Sequence, residues 1–316
     1  MFSYIIRRLL IAIPVLLGVT VISFAVINMA PGSPVDMIVD PNISAADIAA
    51  RKEALGLNAP LHVQYLHWME NLMQGNMGYS MTTYRPVSEM IGERIMPTFL
   101  LMGAALLIGL ILAIPLGILS ATKQYSKLDY LFSTGSLLGI SVPTFFLGLS
   151  SIYVFSLVLK LLPSSGMVTL GGGGGLGDRL EHLIMPATVL CVNVAGKVVR
   201  YVRSCMLEIL EQDYLRTARA KGLSEAIVIN RHALRNGLIP IITIVGLEIA
   251  TLLGGAVITE QIFSWPGIGQ LTMESVMSRD YPTLMGLNLM AAVIVLVVNL
   301  LTDIAYSFVD PRIRYN

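Results

Sequence analysis

The polar residues of this 316-residue chain do not have the spacing of a catalytic or metal-binding motif. A phosphate-binding loop needs Gly-x-x-x-x-Gly-Lys-Ser/Thr, but Gly196-Lys197 is followed by Val198, and the glycines at 171–175 have no lysine after them. The histidines include no i, i+4 pair of the kind that holds zinc on a helix, and neither His-Glu-x-x-His nor Gly-x-Ser-x-Gly occurs. We therefore predict no catalytic residue and no metal site in this chain.

Polar side chains inside long apolar stretches indicate another kind of chemistry. Glu248 lies near the middle of such a stretch. A carboxylate facing lipid is costly, so Glu248 should face the protein interior, a partner chain or a water-filled path. We leave two roles open for it, an ion pair with a basic neighbour and contact with the ammonium group of a solute. Asn193 and Asn288 are further pathway candidates, and Lys197, on the same helix face as Asn193, should extend to the membrane interface.

The elements that carry these residues must lie in lipid. The chain is 55% hydrophobic and 13% charged, its mean hydropathy is +0.73, and its formal net charge is +1. Soluble globular proteins carry about 25% charged residues, so a soluble enzyme is disfavoured. High hydrophobicity also disfavours a disordered chain, and the lack of a basic excess disfavours nucleic-acid binding.

Six apolar stretches are long enough to cross a bilayer as helices, which takes about 20 residues. They cover residues 9–29, 98–121, 131–161, 183–202, 237–259 and 284–309. The first is longer than the apolar part of a secretory signal, so we predict that it is retained. The expected architecture is an all-α membrane protein, a single transmembrane domain over residues 1–316, with an outer loop at 31–97 and an inner connection at 203–236.

Basic residues indicate the orientation of the spans. With the N-terminus inside, 14 of the 21 lysine and arginine residues lie on the cytoplasmic side, so both termini are predicted to be cytoplasmic. The outer loop should contain an amphipathic helix after Pro60, because Leu61, Tyr65 and Trp68 recur at helical spacing. We expect this loop to form a folded cap.

The inner connection carries the most specific local signals. Asp213 is suited to cap the first turn of a short helix, and Gly222 is suited to end that helix in the left-handed conformation. A second short helix is predicted from Ser224 to about Arg235. Two interpretations remain open, a solvated basic loop that only sets topology and a rigid surface that docks on a cytoplasmic partner.

Three segments around this connection are together similar to the cytoplasmic coupling loop of ATP-binding-cassette (ABC) importer permeases of the dipeptide, oligopeptide and nickel family. They are Tyr-Leu-Arg-Thr-Ala-Arg-Ala-Lys-Gly-Leu at 214–223, His-Ala-Leu-Arg-Asn at 232–236 and Ile-Pro at 239–240. The broader importer pattern has Glu-Ala-Ala before the glycine, and alignment on Gly222 puts Arg216 at the glutamate position. The chain therefore departs from the broader pattern there.

The resemblance extends along nearly the whole chain. It includes Arg-Arg-Leu-Leu at 7–10, Pro-Gly-Ser-Pro at 31–34, Phe-Ser-Trp-Pro-Gly-Ile-Gly at 263–269, Arg-Asp-Tyr-Pro at 279–282 and Asp-Pro-Arg-Ile-Arg-Tyr at 310–315. The early first span and the long outer loop are similar to the first, B-type, of the two permease subunits in such systems.

By this resemblance, the chain is a non-catalytic transmembrane subunit that forms half of a translocation path and works by alternating access. The implied partners are a second homologous permease subunit, two cytoplasmic ATPase subunits that bind ATP and Mg, and an extracytoplasmic solute-binding protein. No cofactor is expected in this chain itself. The implied location is the plasma (inner) membrane of a bacterium or archaeon. The implied solutes are short peptides, with nickel chelates, glutathione or small glycans as alternatives.

The resemblance also implies which residues would contact the ATPases. They are Asp213, Tyr214, Leu215, Arg216, Thr217, Ala218, Arg219, Ala220, Lys221 and Gly222. After the fifth span, Trp265, Pro266 and Gly267 would form either an interfacial turn with an aromatic anchor or part of an outer gate. The alternative from another class is an ion-coupled secondary transporter with Glu248 or Asp303 as its proton-carrying group, which would not need the inner helix pair.

Overall fold

The computed structural model describes residues 2–29, 53, 58–171 and 174–309, and these ranges form helices joined by short connections. Much of the predicted outer loop and the motif at 310–315 lie outside the described residues. Within the described residues, the β-type backbone pairing is an isolated bridge between Tyr79 and Pro86. The all-α prediction is confirmed for these residues.

The helices follow one another along the chain with two π-helical segments among them. They are α1 (Phe2–Met29), α2 (Leu61–Met73), α3 (Val87–Thr122), α4 (Lys127–Ser141), α5 (Thr144–Ser151, continued by a π-helix at Ile152–Val158), α6 (Leu176–Leu210), α7 (Asp213–Ala220), α8 (Glu225–Ile227, continued by a π-helix at Val228–Ala233), α9 (Leu234–Ile262), α10 (Ile268–Met277) and α11 (Tyr281–Val309).

Five stretches of described helix are long and apolar enough to cross a membrane, and the number becomes six if one bent pair counts as a single span. The bent pair is α4 and α5 with its π-helical continuation, which meet at 94°. The predicted third span, residues 131–161, is therefore a bent pair and not one continuous helix. Pro143 has no N–H group to continue the helical ladder and disfavours a helical residue before it, so Val142 is extended with ψ 123°.

The chain divides into two compact units. The first comprises Met1–Thr98 and Pro266–Leu296, and the second comprises Phe99–Trp265 and Val297–Asn316. In the second unit α6 is the central helix, with α4 and α9 packed along it. This unit holds the larger apolar core and the whole of the inner connection.

Glycines set how closely α6 approaches its neighbours. A Cβ atom on Gly196 would lie 2.8 Å from the carbonyl oxygen of Ser136 in α4, and a Cβ atom on Gly117 of α3 would lie 2.8 Å from Cβ of Val202. Lipid supplies no hydrophobic driving force between membrane helices, so such close backbone packing provides much of their attraction. These contacts hold in place the half of α6 that leads into the inner connection.

In the first unit, the predicted amphipathic helix of the outer loop is α2, which begins after Pro60. Tyr65 packs edge-on against Phe24 of α1 with ring centroids 5.5 Å apart, and its hydroxyl lies 3.0 Å from Oγ1 of Thr20. Trp68 lines an adjoining cavity of about 480 Å³. The aromatic side chains of α2 therefore fasten it to α1.

Candidate functional site

The inner connection begins with α7, which starts differently from the prediction. Gln212 occupies the N-cap position, and no side-chain hydrogen bond caps the helix there. Asp213 is the first helical residue, and its exposed carboxylate lies 3.4 Å from the guanidinium of Arg216. The prediction that Asp213 caps the helix was therefore wrong. One position further on, its negative charge still interacts favourably with the free N–H groups of the first turn.

The end of α7 has the conformation that the sequence predicted. Gly222 has φ +78°, its N–H donates to the carbonyl of Arg219 at 2.9 Å, and the N–H of Leu223 donates to the carbonyl of Ala218 at 3.4 Å. These two bonds are those of a Schellman motif. A Cβ atom on Gly222 would meet nothing within 4 Å, so the requirement for glycine is conformational and not steric.

One face of α7 is anchored and the other is exposed. Leu215 and Ala218 are three residues apart and are buried in the core of the second unit. The other eight predicted contact residues are exposed: Asp213, Tyr214, Arg216, Thr217, Arg219, Ala220, Lys221 and Gly222. Leu215 and Ala218 therefore support the predicted contact surface from below.

The predicted second short helix does not exist as a separate element. α8 continues through its π-helical segment directly into α9. Val228 and Ala233, at the two ends of that segment, are fully buried. π-Helical turns inside α-helices are uncommon and occur often at functional sites. The second half of the inner connection is thus the beginning of the fifth span, because no turn signal separates the two.

An ion pair closes the turn between α7 and α8. Arg219 donates to the Glu225 carboxylate from Nη2 at 2.8 Å and from Nε at 3.1 Å. We call this pair the inner clamp. The hydrogen bond to Glu225 raises the pKa of Arg219 above its ordinary value. Water weakens such an exposed pair, but the two parallel bonds fix the relative orientation of the two helices. Arg219 was predicted only as a contact residue, and this bond across the Gly222 turn was not predicted.

A buried polar network fixes α6 where it approaches the inner connection. Arg203 donates to the Asp129 carboxylate from Nε at 2.7 Å and from Nη2 at 2.9 Å. The same carboxylate accepts bonds from the hydroxyls of Ser120 and Ser133 and from the N–H of Tyr125. The network joins α3, α4 and α6. This network was not predicted, because Arg203 lies 74 residues after Asp129 and both residues lie just outside the predicted spans.

Glu248 of α9 forms an ion pair with α6. The carboxylate is buried, and its Oε2 lies 3.3 Å from Nζ of Lys197. Of the two roles left open, the structure contains the ion pair with a basic neighbour. Lys197 therefore turns towards α9, whereas the prediction was that it extends to the interface. Asn193 is half-buried one turn earlier on α6, and Asn288 is exposed on α11 in the first unit.

The turn after α9 differs from an interfacial anchor. Trp265 is fully buried in the second unit, and its backbone N–H donates to the carbonyl of Glu260 at 2.8 Å. Burial of Trp265 therefore contradicts the interfacial aromatic anchor, which was one of the two roles left open for this turn. In the first unit, Pro266 is half-buried and Gly267 is the N-cap residue of α10. Their part in an outer gate stays a prediction.

Across the residues that the structure describes, an all-helical bundle with five or six possible membrane crossings, and a short anchored helix between two of them, defines the class of multi-pass membrane proteins. Residues 113–315 match the family described as "binding-protein-dependent transport system inner membrane component", and residues 1–102 match the N-terminal family of the same membrane components. The chain belongs to this family of permease subunits.

Several relatives match over their full length. The chain is 47% identical over 316 residues to the oligopeptide transport system permease protein AppB of Bacillus subtilis, with 100% of both chains covered. It is 39% identical to the dipeptide transport system permease protein DppB of Alkalihalophilus pseudofirmus and 38% identical to the glutathione transport system permease protein GsiC of Salmonella typhimurium, again with full coverage of both chains.

A solved structure shares the fold. A chain of the MetNI methionine ABC transporter in an inward-facing conformation superposes with a TM-score of 0.59 at 15% identity, over 70% of this chain and 97% of that chain. At this identity the likeness concerns the arrangement of helices alone.

Proposed function

We propose that this chain is the first of two transmembrane subunits of an ATP-driven importer and forms half of its translocation path for short peptides. The observation that carries the proposal is α7, a helix held by buried Leu215 and Ala218, ended by Gly222, and otherwise exposed. The names of the full-length relatives, which specify oligopeptide, dipeptide and glutathione transport, support peptides as the solute. Nickel chelates and small glycans are the weaker alternatives.

The proposed assembly divides the work among its chains. Two cytoplasmic ATPase subunits bind ATP and Mg, since this sequence contains no phosphate-binding loop. A second homologous permease completes the path in the plasma membrane, and an extracytoplasmic solute-binding protein delivers the solute. In this proposal both termini of the chain are cytoplasmic, α7 docks on one ATPase, and no residue of the chain is catalytic.

The mechanism uses two contacts of α7 with the bundle. Closure of the ATPases on ATP moves α7 as a rigid body. Two residues separate α7 from α6, and the bond between Arg203 and Asp129 passes the motion of α6 to α4. On the other side the inner clamp ties α7 to α8, which is continuous with α9. The fourth and fifth spans therefore move together and open the path alternately to each side.

The secondary-transporter alternative has less support. Of its two proposed proton carriers, Glu248 and Asp303, the first is engaged by Lys197, and an isolated carrier would have no use for an anchored α7.

The test is ATP-dependent uptake of a labelled peptide into proteoliposomes that contain the chain with its co-encoded partners. Gly222→Val places a β-branched residue at φ +78°, so we expect ATP hydrolysis to continue while uptake falls at least tenfold. Gly222→Asn is the matched control, because asparagine tolerates this conformation and should retain most uptake. Normal uptake by Gly222→Val would contradict the role of α7, and uptake that needs an ion gradient without ATP would contradict the importer.

A further inference from the structure

One face of α6 is polar along its second half. Asn193, Lys197, Arg200, Ser204 and Glu208 follow one another at intervals of three or four residues, so they lie within an arc of about 80° and extend over about 22 Å of the helix. The first two are partly exposed and the other three are exposed. We call these five residues the polar stripe.

The face of α6 opposite the polar stripe is covered by protein. Val198, Val199, Val202 and Met206 are buried in the core of the second unit. Lys197 pairs with Glu248, but the side chains of the other four stripe residues form no hydrogen bond or ion pair with any residue that the structure describes. Lys197 and Arg200 lie within the predicted fourth span, where a charged side chain is costly against lipid, and Ser204 and Glu208 lie beyond it on the cytoplasmic side, so the polar stripe must face water or another protein.

The neighbouring helix provides a contrast. The exposed face of α9 carries Leu247, Thr251, Gly254, Ile258 and Gln261 at the same helical spacing. Leu247 and Ile258 are large and apolar, and the hydroxyl of Thr251 bonds to the backbone of its own helix. That face suits lipid or an apolar protein surface, whereas the polar stripe of α6 suits water.

We propose that the polar stripe lines the cytoplasmic half of the translocation path, and that Arg200 and Glu208 contact the carboxylate and the ammonium group of a zwitterionic solute. The inference rests on the proposed function, since it requires that the chain forms part of a path. The planar guanidinium of Arg200 can hold a carboxylate through two parallel bonds. Glu208 lies about 12 Å further along the helix axis and can accept bonds from an ammonium group.

The charges along the polar stripe favour weak, transient binding of a solute over tight binding. Glu248 neutralises Lys197 near the end of the polar stripe that lies deeper in the membrane, so only one cation and one anion of the polar stripe are left without a partner among the described residues. A solute that carries both charges gains a contact for each and is not held by an excess of either. Transport requires binding weak enough to release the solute.

The experiment measures thiol reactivity at Ser204, which lies between Arg200 and Glu208. Ser204→Cys is made in a Cys205→Ala variant. Buried Cys191 is left in place, and the Cys205→Ala variant without the new cysteine gives the rate to be subtracted. The assembled importer is prepared in inside-out vesicles without ATP or solute. Its rates of reaction with an anionic and with a cationic methanethiosulfonate reagent are then measured. Leu247→Cys is the matched control on the apolar face of α9, and we expect it to react at least 100-fold more slowly than Ser204→Cys.

Charge substitutions then test whether Arg200 and Glu208 face the same water-filled space as Ser204, which both solute contacts require. At about 6 Å through water, one unit charge changes the rate of each reagent about threefold in opposite directions, so the ratio of anionic to cationic rates changes about tenfold. We expect Arg200→Gln to lower this ratio at Ser204→Cys and Glu208→Gln to raise it. Arg200→Lys should leave the ratio near the starting value.

Two results would overturn the inference. If Ser204→Cys is unreactive in the assembly but reacts in the chain expressed alone, the polar stripe packs against a partner subunit. If neither charge substitution changes the ratio of anionic to cationic rates at Ser204→Cys, Arg200 and Glu208 do not face the water at this site. The thiol reactivity is measured without ATP or solute. If Ser204→Cys reacts with the expected ratios and the reconstituted importer still fails to take up peptide, the water-filled path is supported and only the proposed function is rejected.

Discussion

At the scale of single residues, α6 supplies the cation for two of the buried carboxylates, Asp129 and Glu248. Asp129 is held by Arg203 together with two hydroxyls and a backbone N–H, so its position is determined by several bonds at once. Glu248 has Lys197, whose side chain is 30% exposed. A buried charge that loses its partner is strongly destabilising, so the two pairs restrict where α6 can lie.

Removal of Arg203 is expected to destabilise the protein strongly. In Arg203→Met the buried Asp129 carboxylate loses its cation at a cost of about 3 kcal/mol, which should lower Tm by roughly 5–10 °C in a thermal unfolding assay of the purified protein. The double variant Asp129→Asn with Arg203→Met should recover part of this loss. The control is Arg85→Met, which breaks the exposed pair with Glu93 and should change Tm by less than about 2 °C. Equal shifts for the two arginines would refute the network's structural role.

At the scale of elements, α6 is a continuous helix of 35 residues whereas the third span is broken. Both contain proline, and the difference lies in the surroundings. Pro186 is buried inside α6, and Pro143 lies in a connection between two helices. Proline removes the same hydrogen bond in both places, and packing decides whether the helix continues.

The close contact between α4 and α6 predicts a contrast between two glycines. Gly196→Ala would place a methyl group 2.8 Å from the backbone oxygen of Ser136, so the helices must separate, and we expect Tm to fall by about 3–8 °C. Gly135→Ala, also within this helix pair, has nothing within 4 Å and should leave Tm unchanged or slightly higher, because alanine favours the helix. A neutral Gly196→Ala in the same unfolding assay would mean that the helices are not in backbone contact.

At the scale of the whole molecule, the second unit contains every described contact of the proposed coupling route. α7 is anchored in the apolar core, α6 is bound to α4 by the Asp129 network, and the inner clamp orients the start of α9. In this arrangement a force on α7 acts on two membrane helices at once.

The inner clamp can be tested by charge exchange. Arg219→Glu places two negative charges against each other, so we expect peptide uptake per ATP hydrolysed to fall about fivefold or more in the reconstituted importer. The exchanged variant Arg219→Glu with Glu225→Arg restores the pair and should recover most of the coupling. If the exchange recovers nothing, Arg219 acts by contacting a partner and not through Glu225.

Periodicity and local chemistry in the sequence were sufficient for the helical class, for most membrane crossings, for α2 and for the left-handed end of α7 at Gly222, because each depends on residues close together in the chain. Tertiary structure alone decided which charges meet. Asp129 and Arg203 are 74 residues apart and Lys197 and Glu248 are 51 apart, so no local pattern could pair them. It also decided that Trp265 is buried and that α8 joins α9, since burial and helix continuity depend on the packing of distant segments.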